Sequence, residues 1–190
     1  MTVALTNTQQ DDLEWVMALE ADPEIARWVT VWPAERHRLA ISAPDEAHLT
    51  VSFAGELVGF VLLAGLSGLH DAIELRRIVI ARPGQGLGRV TLEATLEHAF
   101  EHCEAHRVWL DVMLDNERAR RLYESIGFLA EGIMRDAHRD GDRYLPLCLM
   151  SILAPEWRER RRSTRSGPSA GVRGGSSASR RPPSAGRPAD

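Results

Sequence analysis

One stretch of this chain narrows the possible folds more than any other. An apolar run from Ile73 to Ala81 enters Arg82-Pro83-Gly84-Gln85-Gly86-Leu87-Gly88, and an amphipathic segment follows from Arg89 to about His106. A second apolar run, Val108 to Leu114, leads into a short helical pattern from Asn116 to Ile126, which stops at Gly127-Phe128. The order strand, glycine turn, helix, strand, helix is a recipe for holding an anion. The first N–H groups of a helix have no partner inside it and carry the positive end of its dipole. Glycines at 84, 86 and 88 let a phosphate approach the backbone and permit the positive dihedrals a tight turn requires. No Gly-Lys-Ser/Thr follows, so a nucleoside triphosphate is not the natural guest.

Gln85-Gly86-Leu87-Gly88, followed by Asn116-x-x-Ala119-x-x-x-Tyr123-x-x-x-Gly127-Phe128, resembles the paired signatures of the GNAT superfamily of acetyl-CoA-dependent N-acetyltransferases. The resemblance runs in element order from about Leu5 to Leu153. It implies an α/β (α+β) fold: a mixed, mostly antiparallel twisted sheet of six to seven strands flanked by helices, in the order β-α-α-β-β-β-α-β-α-β-β. It implies acetyl-CoA as co-substrate, with the diphosphate on the amides of Gly84, Gln85, Gly86, Leu87, Gly88 and Arg89. The pantetheine arm would pair like an added strand with the backbone of Ile78, Val79 and Ile80. An amide of Val79 or its neighbour would polarise the thioester carbonyl, and Tyr123 would protonate the departing thiolate. The family's usual Arg or Gln three residues before Gly86 is Pro83 here, which leaves that contact to Arg82 or Arg89.

Other roles stay open. Asn116 suits a helix N-cap as well as a contact to the pantetheine arm. Glu74, at the start of the central strand, is the candidate base, or else an ion-pair partner of Arg76 or Arg135. Asp111, His70, His138 and Asp136 stand behind it. Strand alternation puts Glu74, Arg76, Ile78 and Ile80 on one face. Trp28 and Trp32 lie where the resemblance places the acceptor, and either line that pocket or belong to the core.

The rest of the chain supplies the frame. Val3 to Leu5 reads as an edge strand and Thr8 as a helix cap. Leu13, Val16 and Met17 give the first helix an apolar face that ends in solvent at Glu20. Asp22-Pro23 restarts a helix, and Pro33 breaks it before a further piece over 34–41. Ser42 to His48 reads as a loop, and strands at 49–53 and 57–63 form a hairpin around Gly55. The second of these is nearly all apolar, as in a strand covered on both faces. A hairpin over 129–137 and 143–153 closes the pattern.

A chain of 190 residues with 44 % hydrophobic residues holds one domain with a proper core. No apolar run is long enough to span a bilayer, and the N-terminus lacks a secretory pattern, so a cytoplasmic location is expected. Cys103 and Cys148 read as buried thiols. His98 and His102 sit on the polar face of their helix, and no metal site is expected. Residues 155–190 carry nine Arg and three acids, against 14 Arg and 24 acids in 1–154. The expected division is therefore a catalytic domain over 1–154 and a disordered Arg/Ser/Gly/Pro-rich tail over 155–190.

The function expected is transfer of an acetyl group to a primary amine by direct attack in a ternary complex. Glu74-Leu-x-Arg-Ile-Val, Glu131-Gly-x-x-Arg135 and Leu149-Met-Ser-Ile-Leu153 are similar to the branch with ribosomal-protein N-terminal and sugar-amine acetyltransferases. The acceptor would be a small molecule or a peptide N-terminus, the protein a monomer or homodimer. Nucleic acid would be met at most by the basic tail. A non-catalytic acyl-CoA-binding module is the alternative. A dinucleotide fold is disfavoured, since Gly84-x-Gly86-x-Gly88 is not Gly-x-Gly-x-x-Gly.

Overall fold

Seven strands form, β1 (Ala4–Asn7), β2 (Glu46–Phe53), β3 (Glu56–Ala64), β4 (Ala72–Ile80), β5 (Arg107–Met113), β6 (Leu129–Asp140) and β7 (Arg143–Leu153), with period-2 burial clearest in β4 and β5. In this computed structural model, which describes residues 1–165, they form one sheet in the order β1-β2-β3-β4-β5-β7-β6. Every neighbouring pair is antiparallel except β4 and β5. On one side pack α1 (Leu13–Glu20), α2 (Pro23–Ala26) and α3 (Ala34–Ser42). On the other lie α4 (Leu87–Glu97), α5 (Glu117–Ile126) and α6 (Ala154–Arg165). The expected mixed sheet and element order hold, with α3 and α6 as further helices.

The core is divided by the sheet. Leu92, Leu96 and Phe100, with Ile126 of α5 and Trp157 of α6, pack on Val61, Leu63, Ile73, Leu110 and Ile152. Across the sheet Val16 of α1 meets Phe60 and Val79. β3 feeds both layers, as its unbroken apolar run requires. Gly59 lets β3 and β4 approach closely, because a Cβ there would stand 2.3 Å from the Val79 carbonyl oxygen.

Three expectations are corrected. Glu20 does not end α1 in solvent: it is fully buried, on the same face as Leu13 and Val16, because Arg77 of β4 pairs with it. Thr8 does not cap a helix. Gln9 begins a helical turn there in a reciprocal cap with Asp12, and Thr8 Oγ1 instead bonds His48 Nδ1 at 2.8 Å. The chain also stays ordered past residue 154. Glu156 accepts from the Leu153 N–H at 2.9 Å, and the buried Trp157 ring lies 5.2 Å from Phe100. Arg158 and Arg161 reach Glu101 and Glu97, on the acidic face of the α4 segment. The apolar anchor and these charges offset the ordering entropy that composition alone leaves unbalanced. The remainder of the expected tail, 166–190, lies outside the described residues.

Candidate active site between two diverging strands

β4 and β5 pair over three residues only, Ala72 with Arg107, Ile73 with Val108 and Glu74 with Trp109. Beyond that point β4 stays with β3 and β5 stays with β7, so the two central strands part and a wedge opens between them. The cause is local. The register between β3 and β4 shifts between Leu62 and Leu63, which face Arg77 and Leu75, leaving Arg76 as an extra residue. A bulge of this kind bends its strand and increases its twist. It also breaks the alternation expected for β4. Arg76 reaches Glu46 and Glu74, while Arg77 reaches Glu20, so both arginines face the α1–α3 layer. Ile78 and Ile80 pack with Ile73 and Leu75 on the opposite layer, so the correction separates them from Glu74 and Arg76.

Beyond the bulge the ladder is regular. The Ala81 N–H donates to Val58, and antiparallel hydrogen bonding alternates from there. The Val79 amide therefore points at β3, and the amides and carbonyls of Ile78 and Ile80 point into the wedge. Of the expected trio, Val79 is the residue whose backbone is already engaged.

At the wide end of the wedge lies the glycine turn. Gly84 has φ 91° and Gly86 φ 77°, the left-handed region where glycine is the natural residue. A Cβ on either would meet nothing within 4 Å, so the turn's outer surface is open. Gly86 is the N-cap of α4 and its carbonyl accepts from Arg89 N–H at 3.1 Å. The amides of Gln85, Gly86, Leu87 and Gly88 make no hydrogen bond among the described residues. These four amides are unpaired, whereas the Arg89 amide, expected among the anion donors, is already bonded. The Arg89 side chain bridges to Ser125 Oγ at 2.6 Å, and Arg82 lies 3.6 Å from Glu56.

Tyr123 comes from α5, which Asn116 starts by accepting the Ala119 N–H at 3.1 Å. Asn116 is thus an N-cap. The Tyr123 side chain is packed beside Phe128 and 8 % exposed, and its hydroxyl bonds no other group among the described residues. Burial, with the charge of Asp111 behind it, raises the phenol well above its usual value, so the proton stays on.

Asp111 stands on β5 just past the point where that strand leaves β4. It shares a strand face with Trp109, the partner of Glu74, and lies within electrostatic reach of Glu74, Arg76, His138 and Tyr123. Asp111 is exposed at the surface of β5, yet partial desolvation first and the Glu74 charge second raise its carboxyl above the ordinary range. Glu74 accepts from Arg76 Nε at 3.1 Å and Nη2 at 2.7 Å, the ion pair that was its alternative role. Sequence reasoning kept Asp111 only in reserve, because nothing local reveals that β5 leaves β4 just before it. Trp28 and Trp32 are half-buried on the α1–α3 side and belong to neither hydrophobic cluster. Trp32 lies against the guanidiniums of Arg36 and Arg77, at 4.1 and 3.9 Å from its ring centre. Among the described residues no three His, Cys, Asp or Glu side chains gather as metal ligands.

The sheet thus has a wedge between β4 and β5, a glycine turn with unpaired amides where β4 ends, and a buried Tyr123 in the cluster that also contacts Ile78 and Ile80. The model of the acetyltransferase (GNAT) family matches residues 9–128. The spermidine N(1)-acetyltransferase of Vibrio cholerae is 29 % identical over 105 residues, 55 % of this chain and 61 % of that protein. The putative ribosomal N-acetyltransferase YdaF of Bacillus subtilis is 32 % identical over 130 residues, 67 % of this chain and 69 % of its own. The solved structure of the Vibrio cholerae spermidine N-acetyltransferase with CoA and spermine superposes with a TM-score of 0.76 at 24 % identity. It covers 83 % of this chain and 98 % of that one. The chain belongs to the GNAT family and is an acetyl-CoA-dependent N-acetyltransferase.

Proposed function

We propose that the wedge between β4 and β5 holds acetyl-CoA and that a primary amine, entering from the α1–α3 side, attacks it directly. The observation that carries this reading is the parting of β4 from β5, which frees the polar groups of Ile78 and Ile80, residues packed against the cluster that holds Tyr123. The amides of Gln85 to Gly88 bind the diphosphate, with Gly84 and Gly86 leaving room for it and the Arg89 side chain close by. Ile78 and Ile80 pair with the amide groups of the pantetheine arm, and one of their N–H groups polarises the thioester carbonyl. Asn116 serves as the cap of α5 and, through it, holds Tyr123 in place.

The proton inventory closes. Asp111, its carboxyl raised above the ordinary range, takes the proton that the amine loses as its nitrogen bonds the carbonyl carbon. The carbon–sulfur bond breaks and Tyr123 gives its proton to the thiolate. The tyrosinate, in the field of Asp111, then recovers through solvent the proton that Asp111 took from the amine. Glu74, fixed by Arg76, supplies negative charge that attracts a cationic acceptor and keeps the Asp111 carboxyl raised. Trp28 and Trp32 form the acceptor wall. The relatives include named spermidine and ribosomal-protein acetyltransferases, so the acceptor is a small polyamine-like amine or a protein N-terminus. The free thiols of Cys103 and Cys148 speak for a cytoplasmic location, and residues 1–154 with α6 form the catalytic unit.

The test is thiol release from acetyl-CoA across spermidine, spermine, peptide N-termini and amino sugars, alongside CoA binding by thermal shift. Stabilisation by CoA with turnover of at least one amine class is expected. Tight CoA binding with no turnover of any amine favours the non-catalytic acyl-CoA-binding module.

A further inference from the structure

The acceptor side of the sheet contains a charge that the proposed chemistry leaves unused. Glu20, at the end of α1, is 0 % exposed. A carboxylate so placed is costly unless its oxygens are satisfied, and here they are. One accepts from the guanidinium of Arg77. The other accepts from the backbone N–H of Trp32 at 3.0 Å and lies 3.3 Å from His37 Nε2. His37 continues through His48 to Thr8, by contacts of 3.0 and 2.8 Å.

The three partners of Glu20 stand on three separate pieces of the acceptor side. Arg77 follows the extra residue of the β4 bulge, Trp32 lies on the connection from α2 to α3, and His37 is on α3. The Arg77 guanidinium also lies 3.9 Å from the Trp32 ring centre, so bulge and loop touch directly above the carboxylate. Apolar side chains of similar volume often fill such a site with equal or greater stability. They cannot fix the angle of Arg77, and with it the twist at the bulge, against the indole.

We infer that Glu20 is a positioning residue for acetyl transfer. It fastens the bulge that aims the β4 amides to the loop that carries Trp32, so that thioester donors and acceptor wall share one geometry. This rests on the wedge being the acyl-transfer cleft.

The experiment compares wild type, Glu20→Gln and the double variant Glu20→Leu/Arg77→Met. Each is measured for melting temperature, CoA dissociation constant, and kcat and acceptor KM. Glu20→Gln is expected to lower kcat at least tenfold and raise acceptor KM severalfold, with CoA affinity within twofold of wild type. The double variant is expected to melt at or above the single one while kcat stays depressed at least tenfold. A Glu20→Gln protein with wild-type kcat overturns the inference. So does a double variant in which activity returns with stability, because the cluster is then only structural. A double variant that does not fold overturns it as well, since the pair then holds the fold rather than aims the site. Wild type that binds no CoA sinks the cleft reading instead, whatever the variants do.

Discussion

Replacing Gly86 by alanine separates the strain of the glycine turn from the use of the space it leaves. Gly86 has φ 77°, and a Cβ there meets nothing within 4 Å in the free protein. The cost to folding is therefore conformational alone, about 1–2 kcal/mol for a side chain in the left-handed region. For a chain of this size that lowers the melting temperature by roughly 2–8 °C. Gly55, in the β2–β3 hairpin, is the control, with φ 85° and equally open surroundings. Gly55→Ala and Gly86→Ala should thus lose similar stability. They differ in what fills the open space. At Gly86 the methyl group would stand where the diphosphate meets the unpaired amides of Gln85 to Gly88. Losing one charge-assisted bond there, about 1.5–3 kcal/mol, weakens CoA binding roughly 10- to 150-fold. Calorimetric titration with CoA beside thermal melts reads both quantities. Gly55→Ala should bind CoA as wild type does. Equal CoA affinity in the two variants would refute the cradle.

Tyr123→Phe should keep CoA affinity and lower kcat by roughly 10²–10⁴-fold, the usual contribution of a general acid; an unchanged kcat removes the phenol from the mechanism. Asp111→Asn should abolish the acidic limb of the kcat/KM–pH profile, which in wild type falls as pH drops through the raised carboxyl value. A carboxyl raised by folding destabilises the protein as pH climbs above its unfolded value, so Asp111→Asn should also melt higher at neutral pH. His48 is pushed down to about 4, first by burial and then by His37. Between its ordinary value of about 6.5 and that figure the unfolded chain binds the proton and the folded one does not. Urea stability should therefore decline as pH falls from 6.5 toward 4, and His48→Gln should flatten that slope.

The features legible in the sequence are those whose causes are local. The glycine turn, the Asn116 cap and the α5 pattern each rest on residues within one turn of helix or loop. So does the unbroken apolar run of β3. The bulge at Arg76 was not legible, since an extra residue is defined only against a partner strand. That single residue turns Arg77 toward Glu20, 57 positions away in sequence, and sends Ile78 and Ile80 to the other face. Asp111, one of four reserve bases in the sequence, moves ahead of Glu74 because β5 leaves β4 just before it and Arg76 holds Glu74 in an ion pair. The spacing of Leu13, Val16 and Glu20 did put the glutamate on the inward face, but its charge argued for solvent until a partner was known. The Arg-rich start of α6 misled for the converse reason. Its partners, Glu97 and Glu101, belong to a helical face that looked merely solvated.

The wedge itself is tested most directly by hydrogen exchange at single backbone amides of β4, with and without CoA. Ile78 and Ile80 should exchange readily in the free protein and slow markedly once the pantetheine arm pairs with them. Val79, already bonded to β3, should change little. If CoA binds and the Ile78 and Ile80 amides exchange as before, the arm lies elsewhere and the diverging strands are not the donor cleft.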